Sequence, residues 1–70
     1  MMPIMLAPVG EEQTVKMITG DDEARLFIQK LGMVPGAKVT VMSAHGGDLI
    51  VYVKDVRVAL IKQMAARIMV

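Results

Sequence analysis

Between Lys38 and Leu60 the chain alternates apolar and polar residues in short runs, and this period of two restricts it to a mostly-β fold. The predicted strands are Lys38–Met42, Leu49–Val53 and Val56–Leu60. The last two are separated only by Lys54–Asp55, which predicts a two-residue hairpin turn. Ser43–Asp48 contains two consecutive glycines and is predicted to be a flexible loop. We therefore expect three strands in an antiparallel meander.

One amphipathic helix is predicted over Asp21–Leu31. Asp21 is the expected N-cap, and the acidic residues after it suit the positive end of the helix dipole. Gly32 is placed to end the helix, and Pro35–Gly36 is placed to turn the chain. Apolar residues at helical spacing form one expected buried stripe, which consists of Ala24, Phe27, Ile28 and Leu31.

The remaining segments complete a small sheet structure. Met1–Gly10 contains two prolines and predicts an extended lead-in, whereas Thr14–Thr19 predicts a strand. Ile61–Ala66 has the length of a short helical turn, and Arg67–Val70 alternates like a closing strand. Five short strands in 70 residues hide their edges best by curling into a small barrel, so we expect one domain over residues 1–70.

The apolar content is high for so short a chain. Hydrophobic residues make up 54% of the sequence, and there is no cysteine, which excludes disulfide scaffolds, zinc ribbons and cysteine nucleophiles. The core of so small a domain can bury only a few side chains. The apolar residues beyond that number favour an apolar surface that binds a partner. The same surplus makes self-association a second expectation.

The charge pattern argues against nucleic acid and membrane. The net charge is +1 with both signs interspersed, and Phe27 and Tyr52 are the only aromatic residues available for base stacking. The longest uncharged stretch, Met1–Gly10, is far shorter than the roughly 20 residues that span a bilayer. It also lacks the cationic start of a signal peptide. We expect a soluble, intracellular protein that neither binds nucleic acid nor inserts into a membrane.

Few residues offer catalytic or metal chemistry. His45 and Asp48 supply two ligands, too few to hold a transition metal alone, so His45 is interpreted as a solvated loop residue unless a second chain completes the set. Glu11–Glu12 and Asp21–Glu23 are adjacent carboxylates that do not face each other across a substrate. Gly46–Gly47 is not followed by the Lys-Ser/Thr of a phosphate-binding loop. We expect no catalytic residue, no cofactor, no bound metal and no enzymatic activity.

The run Leu31–Gly36, LGMVPG, resembles the signature of the FeoA family of bacterial ferrous iron transport. The resemblance implies an SH3-like β-barrel of about five strands, with a helix inserted after the first strand and a short helical turn before the last. Asp55 stands where the family usually has glycine in a hairpin, and Asp tolerates a positive φ better than most residues. Further positions fit the family in order and spacing: Gly10, Gly20, Ala59–Leu60, Ala65, Ile68 and Val70.

The resemblance also implies a function. FeoA proteins are cytoplasmic partners of FeoB, the membrane permease for Fe²⁺ that carries a GTP-binding domain. This chain is therefore expected to be a non-enzymatic accessory protein that docks on the cytoplasmic part of FeoB and modulates uptake. A related domain forms the C-terminal part of the iron- and manganese-dependent repressors of the DtxR type. The alternative is thus a metal-responsive regulatory domain that acts with a separate DNA-binding repressor.

The predicted partner-binding residues are Leu26, Met33, Val34 and Pro35. Met33 lies in the turn after the helix and is the first choice for a surface contact. Leu26 lies off the apolar stripe, which leaves two interpretations open: packing beneath the Pro3–Leu6 segment, or exposure as an anchor for a partner. Met17 and Met64 are predicted to fill the core.

Overall fold

The computed structural model of the protein describes residues 1–70 and contains six strands and two α-helices. A short 3₁₀ turn precedes them within the lead-in. The predicted mostly-β architecture is confirmed. In chain order the elements are β1 (Glu12–Thr14), β2 (Met17–Ile18), α1 (Asp22–Lys30), β3 (Lys38–His45), β4 (Asp48–Val53), β5 (Val56–Leu60), α2 (Lys62–Ala65) and β6 (Ile68–Met69).

The strands form two antiparallel sheets, one ordered β1-β3-β4-β5 and one made of β2 and β6. The predicted strand Thr14–Thr19 changes sheets in its middle. The Val15 N–H donates to the Ala37 carbonyl of the first sheet at 2.9 Å, whereas the Lys16 N–H donates to the Met69 carbonyl of the second at 2.8 Å. This switch turns Met17 outward to 42% exposure, so its predicted place in the core is wrong. The barrel is only partly closed, because β5 and β6 are not paired and α2 connects them.

The segment Ser43–Asp48 is not a flexible loop, as the sequence predicts. It forms the end of a tight β-hairpin instead. β3 continues to His45, β4 begins at Asp48, and only Gly46–Gly47 turns the chain, with φ of 59° and 94°. Two positive φ values match the right-handed twist of the flanking strands. A register shift between Val41 and Ser43 interrupts the strand, which is why the alternation of apolar and polar residues in the sequence ends there.

The second hairpin forms as predicted across Lys54–Asp55. Both turn residues have positive φ, 51° and 63°, and Val53 pairs directly with Val56. Asp55 therefore adopts the left-handed conformation that glycine takes more readily.

The helix α1 begins and ends where the sequence predicts. An Asp21 side-chain oxygen accepts from the Ala24 N–H at 2.8 Å, and Gly32 has a φ of 98° directly after the last turn. The stripe of α1 that is buried in the structure is narrower than the sequence predicts. Ile28 is fully buried, but Phe27 is 54% exposed because it is rotated by about 100° from Ile28 around the helix.

The lead-in joins the second sheet rather than covering the helix. Met2 and Val70 exchange two backbone hydrogen bonds of 2.8 Å each. The 3₁₀ turn Ile4–Leu6 then places Ile4 in the core, so the lead-in is not extended throughout. Leu26 remains 57% exposed, which contradicts the interpretation that the Pro3–Leu6 segment covers it.

The core contains no polar side chain. Met33 belongs to it with 0% exposure, so its predicted role as a surface contact is wrong. The chain after α1 folds back tightly, with the Val34 N–H donating to the Gly32 carbonyl and the Ala37 N–H to the Val34 carbonyl, and Met33 lies in the core within this bend. The other buried residues are Ile4, Ala7, Val15, Ile18, Ile28, Val39, Val41, Leu49, Val51, Val53, Leu60, Ala65, Ile68 and Val70.

Candidate protein-interaction surface

An apolar groove with a volume of about 620 Å³ lies between α1 and the segment around α2. Its large apolar side chains are those of Leu26, Phe27, Ile28 and Met64. Leu26 and Phe27 are each more than half exposed, although they are neighbours on a nine-residue helix. Adjacent large apolar side chains that remain open to solvent are typical of a contact surface. We call this feature the α1–α2 groove.

Charged residues of both signs border the α1–α2 groove. Asp21 and Glu23 lie at the N-terminal end of α1, whereas Lys30 lies at its C-terminal end and Arg67 follows α2. Asp21 already accepts a hydrogen bond as the helix cap. An apolar floor with charged margins is the general arrangement of protein interfaces, in which the apolar centre supplies affinity and the polar rim orients the partner.

Of the four predicted partner-binding residues, Leu26 alone lines the α1–α2 groove. Val34 is half-buried and Pro35 exposed in the turn after α1, outside the groove, and Met33 is buried. Phe27 also lines the groove, although its helical spacing predicts a core position. Met64 was assigned to the core and is partly buried, packed against the core while lining the groove.

A second apolar surface covers the outer face of the larger sheet. Met42, Ile50 and Tyr52 are between 36% and 45% exposed there. They occupy the outward positions of β3 and β4, where polar residues are usual in an antiparallel sheet with one solvated face. This surface lies on β3 and β4, and none of its three residues lines the α1–α2 groove.

Within the His45–Asp48 pair, Asp48 has a structural role. The two residues face each other at the end of the β3–β4 hairpin, and an Asp48 side-chain oxygen accepts from the Lys62 N–H at 2.8 Å. Asp48 thereby caps α2, whose own N-cap position is the apolar Ile61. No group of three or more His, Cys, Asp or Glu side chains is arranged to hold a metal ion.

We expect Asp48→Ala to lower the free energy of unfolding by about 1 kcal/mol, because it removes this cap. Asp48→Asn retains a side-chain oxygen that accepts the same hydrogen bond and should recover most of the loss. Urea denaturation of the three proteins measures both effects. Equal stability of wild type and Asp48→Ala would contradict the capping role.

Neither helix has the length and apolar character that crossing a membrane requires.

The family model of the FeoA domain matches residues 2–70. The chain belongs to the FeoA family. The match covers the turn Leu31–Gly36 as well as both hairpins and the closing strand. The family is associated with ferrous iron transport, and the partly closed sheets with α2 before the last strand form its SH3-like fold.

Solved FeoA structures agree with this assignment. A crystal structure of an iron uptake regulatory protein, FeoA, is 33% identical, with a TM-score of 0.86 over 94% of this chain and 89% of that one. FeoA of Stenotrophomonas maltophilia, crystallised with zinc and described as an SH3 domain protein, is 24% identical, with a TM-score of 0.82 over 99% of this chain and 88% of that one.

A manganese-dependent transcriptional repressor shares the fold at 19% identity, with a TM-score of 0.84 over 94% of this chain but only 38% of the repressor. None of the curated proteins matches the chain.

Proposed function

We propose that this protein is a non-enzymatic, cytoplasmic accessory factor of bacterial ferrous iron transport, which docks through the α1–α2 groove on the cytoplasmic part of a FeoB permease. The observation that carries the proposal is the exposure of Leu26 and Phe27 side by side in a chain of the FeoA family. Fully burying a side chain of either kind contributes about 1.5–3 kcal/mol, so the pair supplies a compact centre for an interface.

The physical mechanism is a shift in a conformational equilibrium of the permease. A bound protein favours one state of its partner only to the extent that it binds that state more tightly than the other. The α1–α2 groove would close over an apolar element of FeoB that is accessible in one state and covered in the other. The charged margin would orient the two proteins and raise the association rate.

The second candidate is a regulatory domain acting with a separate DtxR-type repressor. The likeness to the manganese-dependent repressor supports it at the level of the fold. This candidate requires the isolated chain to bind Fe²⁺ or Mn²⁺, or to capture a repressor. Titration calorimetry that detects no heat with either ion, together with capture of FeoB rather than a repressor, favours the first candidate.

The test of the first candidate is direct binding to detergent-solubilised FeoB, measured by biolayer interferometry. We expect Leu26→Asp and Phe27→Asp each to weaken binding at least about 30-fold, which corresponds to the loss of a residue at the centre of an interface. Both side chains are exposed, so both variants should retain the circular dichroism spectrum of the wild type.

Val9→Asp is the matched control. Val9 is 59% exposed, close to the 57% of Leu26, and it does not line the α1–α2 groove. The control introduces the same charge and should bind FeoB like the wild type. Unchanged affinity of both groove variants would eliminate the groove as the docking site, and equal losses in all three variants would point to a charge effect instead.

A further inference from the structure

The strand β5 has an open edge. It is the last strand of the larger sheet and pairs only with β4. The two-residue turn Lys54–Asp55 makes Val53 and Val56, which flank it, a hydrogen-bonded pair. Along an antiparallel ladder, hydrogen-bonded pairs alternate with non-hydrogen-bonded pairs. Arg57 and Ala59 belong to the non-hydrogen-bonded pairs. Their backbone N–H and C=O groups therefore point away from β4.

These outward groups have no partner within the chain. Neither Arg57 nor Ala59 takes part in the backbone hydrogen bonds outside the helices and strands, or in any side-chain hydrogen bond. Proline, β-bulges and charged side chains usually protect an edge strand from pairing with another chain. β5 contains no proline, no bulge and only one charged residue. The other edge strand, β1, has only three residues and begins with Glu12.

We propose that β5 pairs antiparallel with β5 of a second copy of this chain, around a two-fold axis at Val58, so that the two four-stranded sheets become one. This register places Arg57 opposite the partner's Ala59. Both residues carry outward N–H and C=O groups, so the two pairs related by the axis exchange four backbone hydrogen bonds.

The edge is complementary to itself in charge and shape, which is the requirement of a two-fold interface. The one charged residue, Arg57, faces an alanine rather than another arginine, so no like charges lie directly opposite. On the other face Val56, which is 57% exposed, lies opposite the partner's Leu60 and gains an apolar neighbour. The exposed outer face with Ile50 becomes continuous across both copies.

The test exploits the position of Ala59. Its side chain is exposed, so its replacement leaves the core intact. Ala59→Lys puts a cation opposite the partner's Arg57, whereas Ala59→Glu puts an anion there. Because the axis repeats each cross-strand pair twice, we expect the dimer dissociation constant to rise about tenfold with Lys and to fall about tenfold with Glu. Sedimentation equilibrium at chain concentrations up to about 1 mM measures all three constants.

Ala44 provides matched controls. It is exposed on β3, and β4 separates it from the β5 edge. Ala44→Lys and Ala44→Glu make the same changes in net charge and should leave the dissociation constant unchanged. If the Ala44 variants change it as much as the Ala59 variants do, the effect is one of net charge and the proposed register is overturned.

Amide hydrogen exchange gives a second readout. Raising the chain concentration should slow exchange of the Arg57 and Ala59 amides at least about tenfold, whereas Glu12 in β1 should not change. A monomer at every concentration overturns the proposal. So do oligomers that grow beyond the dimer, which would indicate pairing of β5 with β1 of the next copy. The β5 edge lies outside the α1–α2 groove, so either outcome leaves the proposed function untouched.

Discussion

Met33→Ala is expected to lower the free energy of unfolding by about 2–5 kcal/mol, because it opens a cavity at a fully buried position. A 70-residue domain has a total stability of only about 4–10 kcal/mol, so this one substitution removes a large share of it. Urea denaturation followed by circular dichroism measures the loss. Met33→Leu keeps nearly the same volume and should cost less than about 1.5 kcal/mol.

Met33→Asp separates the two interpretations of this residue. A carboxylate without a partner in a core that contains no polar group should prevent folding altogether. Loss of binding in that variant would therefore reflect loss of the fold. A stable, soluble Met33→Asp protein would contradict the buried position and restore Met33 as a surface contact.

Ferrous iron uptake in cells is expected to fall when the gene is deleted and to remain low when the deletion is complemented with Leu26→Asp or Phe27→Asp. If FeoB is half occupied by the wild-type protein, a roughly 30-fold weaker complex leaves occupancy below about 5%. Radiolabelled Fe²⁺ uptake, normalised to the amount of each protein by immunoblot, measures the effect.

Complementation with Val9→Asp is the control and should restore uptake to the wild-type level. Normal uptake in the deletion strain would contradict the role in transport itself. If the deletion strain is defective but the groove variants restore normal uptake, the protein acts in transport and its docking site lies outside the α1–α2 groove.

Local signals predicted most of the elements. The cap at Asp21, the stop at Gly32 and the turn at Lys54–Asp55 each depend on a few neighbouring residues, and the structure has all three in place. The hairpin at Gly46–Gly47 was missed because a bulge breaks the alternation before it. A two-glycine turn between strands also has the composition of a flexible loop.

Of the two exposed residues at the centre of the candidate site, the sequence indicated only Leu26. Leu26 stood out because it lies among polar residues, and its exposure agrees with one of the two interpretations. Phe27 carried no such signal, since its spacing from Ile28 and Leu31 is that of a core residue. Its exposure depends on how narrow a face the helix buries, which helical spacing does not specify.

The sequence by itself determined the bounds of α1 and the position of the turn at Lys54–Asp55, because capping and positive φ are properties of residues close together in the chain. Only the tertiary structure decided which apolar side chains are buried. Met33 lies inside and Phe27 outside because burial depends on what distant segments cover. Two residues of similar hydrophobicity, six positions apart, thus have opposite roles, one in the core and one on the surface proposed for docking.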